Sequence, residues 1–410
     1  MMQCRHCGGS DFAPFLDLGL APPSNSYLKA EDLSGEEKRY PLVIRTCTAC
    51  WLTQTEDFAD REEFFSGDYA YFSSFSKTWL DHARAYVTDM RDRFGLTEAS
   101  LVAEIAANDG YLLQFVKELG IPCYGVEPTH GTAEAARARG IEIVEDFFGR
   151  DLAARLAAEG RQADLIAANN VLAHVPDIND FVAGFAGLLK PAGVATFEFP
   201  HILEMVRGNQ FDTAYHEHYS YLSLLSVERI FAENGLKVFD VGRTPHHGGS
   251  LRVYACRADH QAHAVTPAVA EMLATEREAG LEGATFYAGF QASAEAARDA
   301  FRAFLDEARG AGLTVAAYGA AAKGNTLLNF AGATAHDIAF VVDRNPAKQG
   351  RFMPGSQIPI VGEDRLLSER PDRVVILPWN IETEIRTQLS YIRDWGGQFV
   401  TAIPMLATRT

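Results

Sequence analysis

The 410-residue sequence has no segment that marks a secreted or membrane protein. Its first residues contain no apolar run of the kind that a signal peptide carries. No uninterrupted apolar stretch reaches the length of about 18 residues that a spanning helix needs. These absences argue against an exported or membrane-spanning protein, and we expect a cytoplasmic one.

Positive charge is also scarce. Lys and Arg number 37 against 54 Asp and Glu, which gives a net charge of −17. Such a chain has no general attraction for nucleic acid or an anionic membrane surface, so we expect neither as a partner. The composition, 47% hydrophobic and 22% charged, is that of a folded chain, and the length allows two or three domains. Nothing marks a large self-complementary patch, so we expect a monomer.

Cysteine is rare, but four of the six cysteines form two C-x-x-C pairs, Cys4 with Cys7 and Cys47 with Cys50. In a reducing compartment such pairs indicate metal ligands rather than disulfides. The stretch between the pairs exceeds the loop of about 15 to 20 residues in familiar zinc ribbons, yet still suits a four-thiolate site. The alternatives are unpaired cysteines or a redox pair, which needs only one C-x-x-C. We predict a structural Zn²⁺, because a closed four-Cys site leaves no open position for catalysis.

Strand-like and helix-like segments alternate from Leu101 onward, beginning with LVAEIA, CYGVEP, IEIVED and ADLIAANN. Repeated βα units predict a parallel, doubly wound sheet, here of about seven strands in a methyltransferase-type Rossmann variant. An Ala-, Glu- and Arg-rich helical segment follows over roughly 264–310. A smaller Rossmann-like array begins near residue 312. The fold class is therefore α/β, with a zinc-binding module before it.

One edge of the predicted middle sheet collects acidic and amide side chains at strand ends. The turn after Glu104 reads A-A-N-D-G and not G-x-G-x-x-G, which argues against the close pyrophosphate approach of NAD. An acidic turn suits the ammonium and sulfonium of S-adenosylmethionine, and Glu127 is placed to bind ribose hydroxyls. Taken singly, these residues also fit turns and solvated strand ends. The candidate cofactor-binding residues are Glu104, Asn108, Asp109, Gly110, Glu127, Asp146, Phe147 and Asn169.

The loop between the fifth strand and the next helix is dense in His, Glu and Tyr, which indicates acid–base chemistry. Carbon methylation needs a carbanion equivalent, which a base can form as an enolate beside a ketone. A histidine suits that role; Glu217 can orient the adjacent His218, and a tyrosine such as Tyr215 can donate to the enolate oxygen. The alternative, a metal on His216, Glu217 and His218, lacks the spacing of H-E-x-x-H.

Two further histidine positions are candidates. His174 follows the fourth predicted strand and so faces the same edge, although a packing role ahead of Pro176 is the alternative. The H-G-G sequence of His247, Gly248 and Gly249 precedes a strand. Its glycine backbone suits either a close approach to a substrate or a tight turn.

The C-terminal array contains a candidate anion site. Gly319 and Lys323 open a helix after a strand, which suits a diphosphate with a point charge from the lysine. Arg351, Trp379 and Asn380 are further candidates for holding a nucleotide, with packing and turn roles as the alternatives. The absence of G-x-G-x-x-G argues against NAD in this array as well.

At these residues the chain resembles the sugar C-methyltransferases of bacterial deoxysugar pathways, a group that includes the 3-C-methyltransferase of the tetronitrose pathway. The resemblance covers nearly the whole chain. It rests on the cysteine quartet, Y-A-Y at Tyr69–Tyr71, E-I-x-x-N-D-G from Glu104, Y-x-E-H from Tyr215, H-G-G at His247 and Y-G-A-x-A-K from Tyr318. One departure is Ala106-Ala107, where members can carry Gly-Cys, and it should alter loop shape more than chemistry.

The resemblance implies a zinc-binding domain, an adenosylmethionine-binding domain and a Rossmann-like domain, for which we take the bounds 1–65, 66–260 and 261–410. It implies a nucleotide-linked 4-keto-6-deoxy sugar held between the last two. By position, His218 resembles the base that removes the C3 proton. The companions that the resemblance implies are Tyr215, Glu217, His174 and Tyr69, with Tyr71 as the alternative to Tyr69 and as a substrate-binding residue.

The sequence therefore predicts an adenosylmethionine-dependent C-methyltransferase that forms a 3-C-methyl branch on a dTDP- or GDP-linked sugar, with dTDP favoured. Two alternatives stay open. One is an O- or N-methyltransferase, which needs no keto group in its substrate. The other is a zinc-ribbon interaction protein with a vestigial methyltransferase fold.

Overall fold

The computed structural model describes residues 2–58, 72–260 and 262–409. Within these ranges the chain forms three β-sheets with helices packed against them. None of the described helices is both long and apolar enough to cross a bilayer.

The strands of the described residues have two to twelve residues each. In chain order they are β1 (Phe12–Ala21), β2 (Tyr40–Cys47), β3 (Thr53–Thr55), β4 (Val102–Ile105), β5 (Cys123–Val126), β6 (Glu142–Val144), β7 (Ala163–Asn169), β8 (Leu189–Pro200), β9 (Ser220–Tyr221), β10 (Leu236–Thr244), β11 (Ser250–Arg257), β12 (Val315–Tyr318), β13 (Val341–Val342), β14 (Ile360–Val361), β15 (Arg373–Ile376), β16 (Gln398–Thr401) and β17 (Ala407–Arg409).

The helices alternate with strands through the middle and C-terminal parts. In chain order they are α1 (Lys77–Phe94), α2 (Leu113–Glu118), α3 (His130–Ala138), α4 (Arg150–Ala158), α5 (Ile178–Leu188), α6 (Ile202–Arg207), α7 (Leu224–Glu233), α8 (Pro267–Glu278), α9 (Ala284–Tyr287), α10 (Phe290–Gly310), α11 (Ala322–Phe330), α12 (Asp364–Glu369) and α13 (Glu382–Gln388). Short 3₁₀ turns, among them Leu172–His174, Phe211–Thr213, His246–Gly248 and Trp379–Ile381, lie between them.

The first sheet is antiparallel, with the strand order β1-β2-β3-β9. Along β2, Leu42, Ile44 and Thr46 are buried and alternate with half-buried neighbours, which is the period of a strand with one face on a core. The fourth strand, β9, comes from far along the chain. This sheet thus takes strands from both sides of residue 65. The predicted domain bounds at 65 and 260 stay predictions.

The second sheet has the strand order β10-β11-β8-β7-β4-β5-β6. Its strands β4 to β8 are parallel, and β11 runs antiparallel to both neighbours. All four residues of β4 are buried, because helices cover both faces of the sheet. The predicted seven-stranded methyltransferase-type sheet is confirmed. The parallel strands bring the ends of β4, β5, β6 and β7 to one edge, where a ligand of such a sheet binds.

The third sheet has the strand order β14-β13-β12-β15-β16-β17, with only the last strand antiparallel to its neighbour. It agrees with the predicted second Rossmann-like unit. The sequence analysis did not identify β14, β16 and β17, which have two to four residues each.

The helical segment expected over roughly 264–310 is interrupted. It forms α8, α9 and α10, separated by turns at residues 279–283 and 288–289. Gly280 has a φ of +90°, a left-handed conformation that ends a helix and that glycine adopts without steric cost. The Ala-rich composition of the segment concealed this break.

Candidate functional site

The two C-x-x-C pairs come together in the first sheet region. The sulfurs of Cys4, Cys7, Cys47 and Cys50 all lie within 4.8 Å of one another. The Cys4 and Cys50 sulfurs are 3.4 Å apart, and those of Cys7 and Cys47 are 3.6 Å apart. Four thiolates around Zn²⁺ at about 2.3 Å in a tetrahedron would lie about 3.8 Å apart. The cluster therefore fits one zinc ion with little movement.

Tight turns bring each cysteine pair to one point. In the first turn the Gly8 N–H donates to the Cys4 carbonyl at 2.9 Å, and Gly8 takes a φ of +71°. In the second the Trp51 N–H donates to the Cys47 carbonyl at 2.9 Å, with Trp51 at a φ of +62°. A non-glycine residue in this conformation is uncommon, so the closed turn at Trp51 holds local strain.

The turn after β4 lies at the sheet edge where β4, β5, β6 and β7 end. We call this the cofactor edge, because the predicted cofactor-binding residues lie there. Ala106, Asn108 and Gly110 all have positive φ, at 59°, 50° and 77°. Ala106 thus adopts the left-handed backbone conformation that glycine adopts most easily, at the position where family members can carry glycine. A Cβ on Gly110 would lie 2.4 Å from Ile141 Cδ1, so any other residue here would need the Ile141 side chain to move and would also have to adopt a left-handed φ.

Three of the predicted cofactor residues at this edge carry buried oxygens that make no hydrogen bond in the described residues. They are both carboxylate oxygens of Glu104, Oδ1 of Asp109 and Oδ1 of Asn169. Burial raises the pKa of Glu104 well above its usual value. Buried polar atoms are nearly always paired, so acceptors grouped at one edge fit a ligand with donor groups. An ammonium and two ribose hydroxyls supply such donors.

Glu127 is held at the end of β5. Its carboxylate accepts from the Asn108 N–H and the Thr129 N–H, both at 2.9 Å. Burial raises the pKa of this carboxyl. The two bonds fix the carboxylate next to the β4 turn.

Two predicted cofactor residues lie after β6. Asp146 accepts from the Phe147 N–H at 2.9 Å and pairs with Arg155 at 3.0 Å on a partly exposed surface. Phe147 is half-buried. The structure places both at the sheet edge, on the side away from β7.

The sequence analysis missed two residues at the cofactor edge. Tyr111 is 3% exposed, and burial raises its pKa well above the usual value, with Glu104 and Asn169 among its electrostatic neighbours. Arg139 lies 3.3 Å from Asp109 Oδ2, so the Asp109 carboxylate has one paired and one unpaired oxygen. Neither residue belongs to a strand-end pattern, so no sequence signal identified it.

His218 has both ring nitrogens in defined contacts. Nδ1 lies 2.8 Å from the Thr213 carbonyl, and Nε2 lies 2.6 Å from the Tyr215 hydroxyl. Because a carbonyl only accepts, Nδ1 carries the proton and Nε2 accepts from Tyr215. Burial lowers the pKa of His218 well below its usual value, and the nearby His174 lowers it further. The imidazole is therefore neutral, and its unprotonated nitrogen, Nε2, accepts a hydrogen bond from the Tyr215 hydroxyl.

His174 and Glu217 complete this cluster, which we call the histidine cluster together with Tyr215 and His218. The His174 and His218 rings are 4.6 Å apart between centroids. Burial lowers the pKa of His174 to about 4 and raises that of Glu217 to about 7.

The predicted contact between Glu217 and His218 is not what the structure shows. Glu217 Oε1 accepts from Asn25 Nδ2 at 3.2 Å, and Oε2 makes no hydrogen bond in the described residues. His216 packs edge-on against Tyr40. Adjacent residues of this irregular loop point in different directions, so the side chains of His216, Glu217 and His218 do not converge like metal ligands. The orienting contacts of His218 come instead from Thr213 and Tyr215.

Lys323 joins the histidine cluster from the start of α11. Its Nζ is buried, makes no hydrogen bond in the described residues, and lies 4.8 Å from the centroid of the Trp379 ring. Burial lowers its pKa, while the charge of Asp212 opposes that shift. The positive charge lowers the pKa values of both His218 and His247. The lysine charge therefore acts on both histidines.

Asp212 is a further residue that the sequence analysis missed. It is buried and accepts from Trp379 Nε1 at 2.7 Å, while its other oxygen makes no hydrogen bond in the described residues. Burial raises its pKa to about 6. Asp212 and Trp379 link the middle and third sheets on one side of the site.

The H-G-G turn contacts protein on both sides. His247 Nε2 lies 3.1 Å from Asn170 Nδ2, and burial lowers the pKa of His247 to about 3. Gly248 and Gly249 have φ of +89° and +113°. A Cβ on Gly248 would lie 2.5 Å from Trp379. The close approach that Gly248 permits in this structure is therefore that of Trp379.

The other predicted substrate residues make no hydrogen bond to the histidine cluster in the described residues, or lie outside those residues. Arg351 is half-buried beside Phe352, and Asn380 is half-buried in the 3₁₀ turn that begins at Trp379. In the described ranges neither side chain makes a hydrogen bond to the cluster. Tyr69 and Tyr71 lie outside the described residues.

A second charged cluster lies under the H-G-G turn and was not predicted. Glu198 accepts from Arg252 at 2.7 and 3.1 Å and contacts His82 Nε2 at 2.8 Å. The His82 and His246 rings are 3.8 Å apart between centroids. His82, Glu198 and His246 have the proximity of metal ligands, but the Arg252 guanidinium already neutralises the carboxylate. This cluster therefore joins α1 to the sheet below the turn.

Comparison with known proteins finds matches to three successive stretches of the chain. Residues 4–65 match a family model described as a zinc binding domain, and residues 79–241 one described as a methyltransferase domain. Residues 245–404 match a C-methyltransferase C-terminal domain. The C-methyltransferase NovU of Streptomyces niveus is 35% identical over 404 residues, which cover 98% of this chain and 95% of NovU.

The chain belongs to the C-methyltransferase family. It is accordingly a C-methyltransferase that uses S-adenosylmethionine, and its four clustered cysteines form the structural zinc site. The magnesium protoporphyrin IX methyltransferase ChlM of Synechocystis, solved with bound S-adenosylmethionine, is 16% identical, with 44% of this chain and 79% of that one covered and a TM-score of 0.33. The glycopeptide N-methyltransferase MtfA is 14% identical, with 43% and 94% covered and a TM-score of 0.34.

Proposed function

We propose that this C-methyltransferase adds a methyl group to C3 of a nucleotide-diphospho-4-keto-6-deoxyhexose through an enolate. Attack from carbon requires removal of a proton from a carbon next to a carbonyl. The observation that carries the proposal is the Tyr215, His218 and Thr213 chain of hydrogen bonds. These bonds place the unprotonated Nε2 of a neutral, buried imidazole next to the phenol of Tyr215.

The same hydrogen bonds suggest how the roles are divided. The Thr213 carbonyl keeps the proton on Nδ1, so Nε2 is the basic atom of His218. When the C3 proton of the sugar takes the place of the Tyr215 hydroxyl at Nε2, that hydroxyl becomes available to the C4 oxygen. Tyr215 then donates where negative charge develops, and His218 accepts the proton.

A buried histidine of low pKa is a weak base, so the site must stabilise the enolate. Lys323 is a buried cation among the histidines, and its charge lowers the pKa of His218. The same charge that weakens the base stabilises an oxyanion in a low-dielectric site. We therefore assign Lys323 to the enolate oxygen, in place of the diphosphate assignment from sequence. Arg351, Trp379 and Asn380 stay proposed nucleotide contacts.

The cofactor lies at the adjacent sheet edge in this proposal. Bound S-adenosylmethionine supplies the electrophilic methyl group. Glu127, fixed by two N–H donors, accepts from the ribose hydroxyls, and Glu104 and Asp109 present buried acceptors to the donor groups. The remaining proposed contacts are Asn108, Gly110, Asp146, Phe147 and Asn169. We also propose a cytoplasmic monomer, since a reducing compartment keeps the four zinc thiols reduced.

The test is a reaction in deuterium oxide with adenosylmethionine and a dTDP- or GDP-linked 4-keto-6-deoxyhexose, analysed by mass spectrometry and NMR. We expect methylation of the sugar carbon, and deuterium at C3 when S-adenosylhomocysteine replaces the methyl donor. Because the C4 ketone acidifies C5–H as well, NMR must locate the label. Methyl and deuterium at C5 would contradict the C3 assignment. An ether product without exchange would contradict the enolate.

A matched pair of variants assigns the base. His218→Asn should abolish both exchange and methylation and leave adenosylmethionine affinity nearly unchanged. His216→Asn alters a neighbouring buried histidine that packs on Tyr40 and should retain exchange. Exchange that survives in His218→Asn would remove His218 from the base role.

A further inference from the structure

The zinc-binding part of the chain reaches the backbone of the proposed base. Strand β3 begins three residues after Cys50 and pairs with β9, which begins two residues after His218. The Thr55 hydroxyl donates to the His218 carbonyl at 2.6 Å, and the Thr55 N–H donates to the Tyr219 carbonyl at 3.1 Å. Residues 219–221, which follow His218, thus pair along the edge of the sheet that contains the zinc module's strands.

Arg5, which lies between the zinc ligands Cys4 and Cys7, contacts both histidine-bearing segments. Its Nη2 donates to the Thr55 carbonyl at 2.8 Å, and its Nη1 donates to the Pro176 carbonyl at 3.3 Å. Its guanidinium lies 4.8 Å from the centroid of the Tyr219 ring. The side chain is 6% exposed. One planar group therefore holds the chain two residues after His174 and packs on the residue after His218.

The loop that carries Arg5 is itself tied to the zinc ligands and to the middle sheet. The Arg5 N–H donates to Gln54 Oε1 at 3.0 Å, and Gln54 Nε2 donates to Cys4 Sγ at 3.3 Å. Asn179 Nδ2 donates to the His6 carbonyl at 2.8 Å. Because Cys4 and Cys7 flank Arg5, a zinc ion that holds both sulfurs also holds the backbone from which the guanidinium projects.

We infer that Arg5 is a positioning residue for carbon deprotonation and that the zinc site sets its position. This inference rests on the proposed function, in which His218 is the base. The two segments are joined by one backbone bond, from the Tyr219 N–H to the Ala173 carbonyl at 2.8 Å. Arg5 joins them a second time, from the zinc side. A planar fork with five donors suits this task, and a lysine cannot reproduce it.

The variants for the test are Arg5→Met, which keeps the length of the side chain without its donors, and Arg5→Lys. The matched control is Arg229→Met. Arg229 Nη1 donates to the Ala49 carbonyl, in the second cysteine turn, at 3.2 Å, and its other partner is Glu282. It therefore holds the zinc module from a side that contacts neither histidine segment.

Three measurements are made on the full-length protein: zinc content, hydrogen–deuterium exchange of backbone amides by mass spectrometry, and steady-state kinetics. In Arg5→Met we expect zinc to be retained and the amides of 172–176 and 215–221 to exchange faster, while those of 104–110 are unchanged. We expect kcat to fall roughly 10- to 100-fold with little change in KM, because a misplaced base costs rate and not binding. Arg5→Lys should recover part of the rate, and Arg229→Met nearly all of it.

Zinc removal tests the second half of the inference. Chelation of the wild-type protein should raise amide exchange in the same two segments before it does so at 104–110. Uniform loss of protection would mean that zinc only stabilises the whole fold, and would overturn the link to Arg5. Unchanged kcat and unchanged exchange at both segments in Arg5→Met would overturn the positioning role.

Failure of the proposed function gives a different result. If the wild-type protein never exchanges C3–H of the sugar, the base assignment fails, whatever Arg5 does. The amide exchange of 172–176 and 215–221 still reports whether Arg5 and zinc hold these segments. If the wild-type enzyme exchanges C3–H and the Arg5→Met variant exchanges it equally fast, only the role of Arg5 is overturned.

Discussion

Two buried clusters of this protein both contain histidine and glutamate, and they differ in how their polar atoms are paired. In the first, Glu276 of α8 accepts from His201 Nε2 at 2.7 Å and from the N–H groups of Leu224 and Leu225 at 2.7 and 2.8 Å. Both of its oxygens are used. In the second, Glu217 Oε2 and Lys323 Nζ are buried and make no hydrogen bond in the described residues.

We attribute this difference to a structural role of the paired cluster and a ligand-binding role of the unpaired one. The Glu276 carboxylate caps the N-terminus of α7 with N–H bonds that the helix cannot satisfy itself, so the burial of this charge is compensated. The burial of the unpaired atoms around His218 costs folding free energy, and no hydrogen bond within the described residues compensates that cost in the free protein. Such atoms are expected where a ligand supplies the missing partners. Each prediction below tests whether pairing distinguishes the two clusters.

The largest effect should come from His218→Asn. If His218 is the base that we propose, its loss should lower turnover roughly 10²- to 10⁴-fold, a far larger effect than the accompanying loss of stability. Steady-state kinetics and thermal unfolding on the same preparation measure both. A variant that loses its fold and its rate together would place His218 with Glu276, as a structural residue.

Glu276→Gln should do the reverse. The change leaves His201 and the start of α7 without their charged acceptor, and breaking a buried charged contact costs about 3 kcal/mol. Denaturant unfolding should show that loss. The rate per folded molecule should stay near the wild-type value, measured after native protein is quantified by adenosylmethionine binding. A large fall in that corrected rate would contradict the structural assignment.

Glu217 connects stability to pH. Its pKa is raised to about 7 by burial, above the usual 4.5, so the folded state holds a proton that the unfolded state releases. Its contribution to the free energy of unfolding is therefore complete below pH 4.5 and declines as the pH rises to 7 and beyond, by up to about 3 kcal/mol. Glu217→Gln should unfold at higher urea than the wild type at pH 8 and at equal urea at pH 4.5. Parallel unfolding curves at all pH values would contradict this.

Lys323→Met should give the smallest change in stability and a moderate change in rate. Removal of a buried unpaired cation should leave stability unchanged or slightly higher, because its burial has no hydrogen bond to compensate it. We expect kcat and the rate of C3–H exchange to fall about 10- to 100-fold with little change in KM. A raised KM with unchanged kcat would return Lys323 to the diphosphate.

Parts of the site were predictable because their signal is local. Cys4 and Cys7 lie in one tight turn, and Glu104 and Glu127 end strands whose parallel pairing brings them together. The partner of Glu217 was not predictable in the same way. Asn25 lies almost two hundred positions earlier, and neither its neighbours nor its spacing links it to the loop around His218.

The sequence by itself determined the seven-stranded sheet, the zinc cysteines and the family, since hydrophobic period, short ligand spacing and motif order are properties of neighbouring residues. Only the tertiary structure decided that Arg5 and Thr55 contact the histidine segments and that Trp379 bonds Asp212 beside them. Those contacts join residues more than a hundred positions apart and depend on how three sheets pack. Packing is decided by the fit of whole surfaces, which no local pattern records.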